Sequence, residues 1–236
     1  MEQVLSQLVE RLKTAFSERL VAAVLYGSAA IGDWNEHSSD LNVLCVLDRL
    51  SAEEIEKSEP VFRWWRERGY PPPLLLTAQE VESSTDCFPM EFHDMQEHRR
   101  ILYGTDVIAS ITVDKSFYRA QVEHELRAKQ IRLRQKAAEV LRDQPRLLKL
   151  LTDSISTFCV LGRHALILSG SPPQWKKTDI VAALEKAVGK PFPAVNEILS
   201  IRAAGKKGSA GAALSLFGGY LSETETLVRF VDGLHH

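Results

Sequence analysis

Residues Val21 to Tyr26 form a continuous apolar run that passes directly into Gly27-Ser28. A run of that length closed by a glycine turn predicts a strand. After eleven intervening residues, rich in small and polar types, a second apolar strand over 40–47 opens with Asp40-Leu41-Asn42. The two-residue period of a strand puts Asp40 and Asn42 on one face and Leu41 on the other. A Gly-Ser turn beside an acid-bearing strand edge suits a polyphosphate. The hydroxyl and nearby backbone N–H groups meet phosphate oxygens, and the acidic strand end carries magnesium.

This pattern resembles the DNA polymerase beta-like nucleotidyltransferase superfamily, which includes kanamycin nucleotidyltransferase-like and minimal bacterial nucleotidyltransferases. Its motif is Gly-Ser, a spacer, then acid-any-acid on a strand. Gly27, Ser28 and Asp40 match, whereas Asn42 stands where a second carboxylate is expected. The resemblance is specific over 20–48, weaker over 73–104 and architectural over the last half. It implies an α+β chain: an α/β nucleotidyltransferase domain with a small mixed sheet, followed by an all-α helical bundle. It also implies metal-dependent transfer of a nucleoside monophosphate from a nucleoside triphosphate to a hydroxyl of a small molecule or protein. Mg2+ is the implied cofactor, and the bundle the implied acceptor-binding part. Asn42 motivates an alternative: a catalytically impaired nucleotide-binding pseudoenzyme, or one partner of a toxin–antitoxin-like pair.

The resemblance gives the site residues their roles. Asp40 is the catalytic carboxylate and shared metal ligand, and Asn42 a weaker amide ligand without charge. Ser28 donates to phosphate oxygens, although it could equally cap a short helix beginning there. Gly27 lets the backbone bend sharply or approach phosphate closely. The alternation of 89–95 predicts a strand, with a loop as the other reading. As a strand it would put Glu91 and His93 on one face and Asp94 on the other. The string Phe88-Pro89-Met90-Glu91-Phe92 is similar to the segment that carries the third acid in kanamycin nucleotidyltransferase-like proteins. Glu91 is therefore the implied third catalytic and metal carboxylate, with Asp94 the alternative if the phase shifts by one. Arg127 and Arg134, seven apart on one helix face, are candidate nucleotide contacts; a solvated face balanced by Glu123, Glu125 and Glu139 is the competing reading. Asp33, Glu36 and His37 read as solvated loop residues, Lys206-Lys207 as a surface loop, and Trp64 and Trp65 as packing. His93 and His164 have no partner at telling spacing.

Around these residues the chain alternates helix and strand, then turns wholly helical. Val4, Leu8, Leu12, Phe16 and Leu20 mark an amphipathic helix over 1–20. Ser51-Ala52-Glu53-Glu54 and Thr77-Ala78-Gln79-Glu80 are capping-box signatures. They open helices to about Arg68 and over a short stretch after a strand at 74–77. Strand signals end after Asp114. Helices are expected over 115–142, with Val122, Leu126, Leu133, Ala137 and Val140 buried, and over 146–169. Others are expected from a cap at Thr178 to Gly189, over 193–203 and over 209–233. The expected domains are 1–108 for nucleotidyl transfer and 109–236 for the bundle. The 236 residues carry a net charge of −2, which argues against a nucleic-acid-coating surface. No apolar run approaches a membrane span, and Cys45, Cys87 and Cys159 read as reduced core residues of a cytoplasmic protein. The acceptor, base preference and oligomeric state, a homodimer included, stay open.

Overall fold

In the computed structural model, which describes residues 1–32, 40–204 and 213–234, the first apolar run is strand β1 (Leu20–Tyr26). It is one of the two inner strands of a four-stranded mixed sheet. β2 (Asn42–Leu47) pairs with it antiparallel on one side, β4 (Arg99–Gly104) antiparallel on the other, and β3 (Leu74–Thr77) parallel to β2, giving the order β3-β2-β1-β4. Both faces of β1 and β2 are covered, which explains their unbroken apolar sequences. Ala23, Leu25, Leu41, Val43 and Cys45 pack with α1 (Glu2–Phe16) and α3 (Ala52–Arg66) through Leu8, Leu12, Val61 and Trp65. Ala22, Val24, Leu44 and Val46 pack the opposite way, against Val81 of α4 (Ala78–Ser83), Phe92 and Met95 of α5 (Pro89–Glu97), and Ile108 and Ile111. The close approach of β4 to β1 requires a glycine at its end. Gly104 has φ +74°, and a Cβ there would lie 1.9 Å from the Val21 carbonyl oxygen.

Both capping boxes form. Glu54 of the first is buried and lies near the guanidinium groups of Arg19 (3.5 Å) and Arg49 (3.7 Å). It thereby ties the start of α3 to the residues flanking β1 and β2. Trp65 Nε1 donates to the Pro71 carbonyl at 2.8 Å, holding the proline-rich turn under α3.

The first expectation that fails is the strand at 89–95, which is helix α5. Pro89 occupies its first turn, where its fixed φ suits a helix and its missing N–H goes unneeded. Phe92 and Met95, three apart, are both buried on one side, a helical spacing that the Met90/Phe92 alternation concealed. Cys87 is exposed, whereas Cys45 and Cys159 are buried as expected. Burial pushes the Cys45 thiol up to about 12.

The chain divides into two units, Met1–Ser116 and Phe117–His236. The stretch after 108 belongs with the first, because Ile111 completes the sheet's core and its carbonyl accepts from Gln96 Nε2 at 2.6 Å. The second unit contains α6 (Tyr118–Val140), α7 (Gln144–Leu168), α8 (Lys177–Val188), α9 (Pro193–Ala204) and α10 (Ala213–Asp232). Four of the five residues expected to face inward from α6 are buried: Val122, Leu126, Leu133 and Ala137. α7 packs against the other four helices. Lys176, not Thr178, is the N-cap of α8, and the Thr178 hydroxyl bonds to Asp179 instead. Gly189 closes that helix in the left-handed conformation, as expected. The expected start of the last helix at 209, and Lys206-Lys207, lie outside the described residues. Among the described residues no helix is long and apolar enough to cross a membrane.

One buried carboxylate organises the bundle. Glu223 on α10 accepts from the Ala194 and Val195 amides at 2.9 and 2.8 Å, supplying α9 with a cap from a different helix. Desolvation pushes its carboxyl above the ordinary carboxylate range, against the pull of those two amides. Glu223→Ala strands two buried donors, at about 1–3 kcal/mol each. Urea denaturation should therefore show a loss of about 3 kcal/mol; a change within experimental scatter would mean that the cap is dispensable.

Candidate active site

The residues of the two-strand motif meet at the open end of β1 and β2. The register pairs Tyr26 with Asn42, so the chain leaves β1 beside the start of β2. Gly27 then turns with φ +76° and ψ −155° and caps α2 (Ser28–Ile31) through its carbonyl, which accepts from Ala30 N and Ile31 N. A Cβ at position 27 would lie 2.9 Å from Asn42 Nδ2. The backbone conformation demands glycine, and a Cβ would in addition displace the Asn42 amide. Ser28 is the first residue of α2 and is not its cap, so its hydroxyl is not committed to that helix end. It is half-buried.

Strand alternation operates at the mouth as expected. Leu41 is fully buried in the core shared with α1 and α3, while Asp40 just before it is exposed and Asn42 half-buried. Asn42 begins the β2 series that continues through Leu44 and Val46, the face covered by α5. Tyr26 lies on that same face. Its hydroxyl is pushed up to about 12, first by desolvation and then by the nearby Glu91 carboxylate. Glu91 therefore reaches the β1 side of the site from α5, although it sits on a helix. The consequence of the helix is a change of companions: Glu91 shares its face with Asp94, three residues on, rather than with His93. Asp94 is half-buried, with an oxygen 3.8 Å from His93 Nδ1.

Arg99 sets the position of α5, a role that no sequence motif marks. Its guanidinium donates to both Asp106 oxygens, at 2.7–3.0 Å. It also donates to the Met95 and Gln96 carbonyls at the end of α5. Asp106 in turn accepts from the Ile108 and Ala109 amides. One side chain thus satisfies the helix end, the start of β4 and the following turn. Arg99 opens β4 and Asp106 lies beyond its end, so no spacing within one element marked the pair.

The remaining candidates lie in the second unit. Arg127 is held by Glu123 (2.7 Å) and approaches Asp232 (3.6 Å). Arg134 is exposed and has no carboxylate partner among the described residues. His164 is buried, with Nδ1 2.5 Å from the Tyr118 hydroxyl. Asp33, Glu36 and His37 lie outside the described residues. The donor set of Asp40, Asn42 and Glu91 is all oxygen and includes two carboxylates, which fits the preference of magnesium for hard ligands.

The Arg99 guanidinium holds the Asp106 carboxyl below the ordinary carboxylate range, with further help from the Ile108 and Ala109 amides. A depressed value means that this stabilisation is present above the unfolded-state value, about 4, and is lost as pH falls through the folded-state value. Asp106→Asn should lower the melting temperature at pH 7, and its deficit against the parent should shrink as pH drops below about 4. A deficit constant with pH would remove the ion pair from the account.

The sequence matches the family described as "Nucleotidyltransferase domain" over residues 5–132. No curated protein gives a significant match. Among solved structures, the chain is similar to the spectinomycin adenyltransferase AAD(9) from Enterococcus faecialis, a crystal structure with ATP and spectinomycin. The TM-score is 0.60 at 14% identity, and the match covers 95% of this chain and 98% of that one. At that identity the likeness establishes the fold: a small mixed-sheet nucleotidyltransferase domain followed by helices. With the matched span exceeding half its length, this chain belongs to the nucleotidyltransferase domain family.

Proposed function

We propose that the protein transfers a nucleoside monophosphate from a nucleoside triphosphate to a hydroxyl of a small molecule. The observation that carries this reading is the pairing of Tyr26 with Asn42, which sets the Gly27-Ser28 turn against the Asn42 side chain, with Asp40 two residues before it. The Ser28 hydroxyl donates to phosphate oxygens of the donor. Glu91 accepts the proton of the acceptor hydroxyl as that oxygen attacks the α-phosphorus in line, and pyrophosphate departs. Asp40, Asn42 and Glu91 would hold magnesium, which supplies charge neutralisation at the phosphates. Asp94, one turn further along the same face of α5, takes the part of Glu91 if the acceptor oxygen lies nearer that end of the helix. The helical unit selects the acceptor. The ATP and spectinomycin in the similar crystal structure make that pair the first to try, with other hydroxylated amines next.

A second reading rests on Asn42: a binding protein that holds the nucleotide without turning it over. The lost formal charge weakens metal binding. Binding of ATP with and without magnesium, followed by pyrophosphate release over an acceptor panel, separates the two. Asn42→Asp should tighten magnesium-dependent ATP binding by about tenfold, the effect of about one charge-assisted contact. ATP binding without pyrophosphate release, unchanged by Asn42→Asp, favours the binding protein.

Asp40→Ala should abolish magnesium-dependent ATP binding. Because Asp40 is exposed and outside the core, the melting temperature of the ligand-free variant should stay within about 1–2 °C of the parent. A collapsed fold would make Asp40 a structural residue.

A further inference from the structure

The helical unit contains a pocket of about 360 Å³ between α6, α7 and α10, within the size range of small-molecule sites. Leu126, Leu133, Phe158 and Leu161 give it an apolar wall, and Tyr220 stands opposite. Gln130 lines the same pocket. Its side chain is 9% exposed, and among the described residues its Nε2 has no acceptor. A buried amide donor without a partner is costly, and here it belongs to the pocket wall. The nearby hydroxyls are already engaged: Ser154 bonds the Leu151 carbonyl and the Tyr220 hydroxyl, and Thr224 bonds the Leu221 carbonyl.

Charge at the mouth is one-sided. Lys129 is paired with Glu125, and Asp153 with Lys149. Arg132 and Lys136, one helical turn apart on α6 and both exposed, have no carboxylate partner among the described residues. Two cations at the rim of an apolar pocket, with an unsatisfied donor inside, define one class of ligand.

We propose that this pocket binds a small amphipathic carboxylate. Its apolar body fills the space against Leu133 and Phe158. A carbonyl oxygen accepts from Gln130, and the carboxylate lies between Arg132 and Lys136. The proposal adds a site to the helical unit and does not depend on the nucleotide reading, because every wall of the pocket lies in α6, α7 and α10.

Hippurate (N-benzoylglycine) has all three features, and N-benzoylglycinamide lacks only the charge. Calorimetric titration of the full-length protein should give hippurate a Kd below about 1 mM, about tenfold tighter than the neutral amide. In Arg132→Gln/Lys136→Gln the two ligands should bind alike. Gln130→Leu should weaken hippurate about fivefold while leaving the melting temperature equal or higher, since it removes an unsatisfied donor. Thr157→Trp, which fills the pocket from α7, should abolish binding; the surface double variant keeps the test decisive if that one misfolds. Absence of hippurate binding, equal affinity for the two ligands in the parent, or binding indifferent to the α6 variants would each overturn the proposal.

Discussion

The structure of the first unit depends on how β1 ends. Its last residue pairs with Asn42 on one side and with Arg99 on the other. At that point the backbone must leave the sheet, and only a residue without a Cβ can make the turn against the Asn42 side chain. Every other part of the site follows from this exit. Ser28 is placed because Gly27 turns, Asp40 because β2 begins opposite, and Glu91 because α5 lies on the face that Tyr26 and Asn42 share. The constraint is steric before it is electrostatic: φ +76° with ψ −155° is a conformation that residues with a Cβ adopt only under strain, regardless of the ligand.

The sequence was most legible where a single element carries its own signal. Strands β1 and β2 are apolar from Leu20 to Tyr26 and from Val43 to Leu47 because both faces are covered. Both capping boxes were readable since the two partners lie three residues apart and bond only in one local geometry. The helical half was readable for the same reason, with errors of a few residues at the ends, where fraying and side-chain competition decide. Thr178 shows this competition: a hydroxyl beside Asp179 found its neighbour instead of the helix end.

What escaped was decided by contacts distant in sequence. The segment 89–97 alternates as a strand would, yet the sheet already had its four strands, and Phe92 with Met95 covers the exposed face better as a helix. Arg99 and Asp106 hold that helix in place, and Glu223 caps α9 from 29 residues away. None of these follows from periodicity, because each polar group is satisfied by a part of the chain that folding alone brings near. The site shares this division. Gly27, Ser28, Asp40 and Asn42 could be located from the motif, whereas the face Glu91 presents depended on α5 being a helix.

An amide at position 42 also bears on how a metal would enter the proposed site. It keeps an oxygen donor while removing one formal charge, so the sites for two dications are no longer balanced by two adjacent strand carboxylates. Asp40 is exposed, and an exposed carboxylate is well solvated and attracts a dication only weakly. A triphosphate carries negative charge of its own and binds magnesium in solution. On the proposed reading the metal therefore arrives with the nucleotide instead of waiting in the empty site. The protein's task then shifts from capturing the ion to orienting a metal–nucleotide complex, which the Gly27-Ser28 turn and the Asp40 carboxylate do together. That division of labour makes the geometry at Gly27 more restrictive than the charge at Asn42. It also explains how a chain can keep the glycine-serine turn and the first acid while replacing the second.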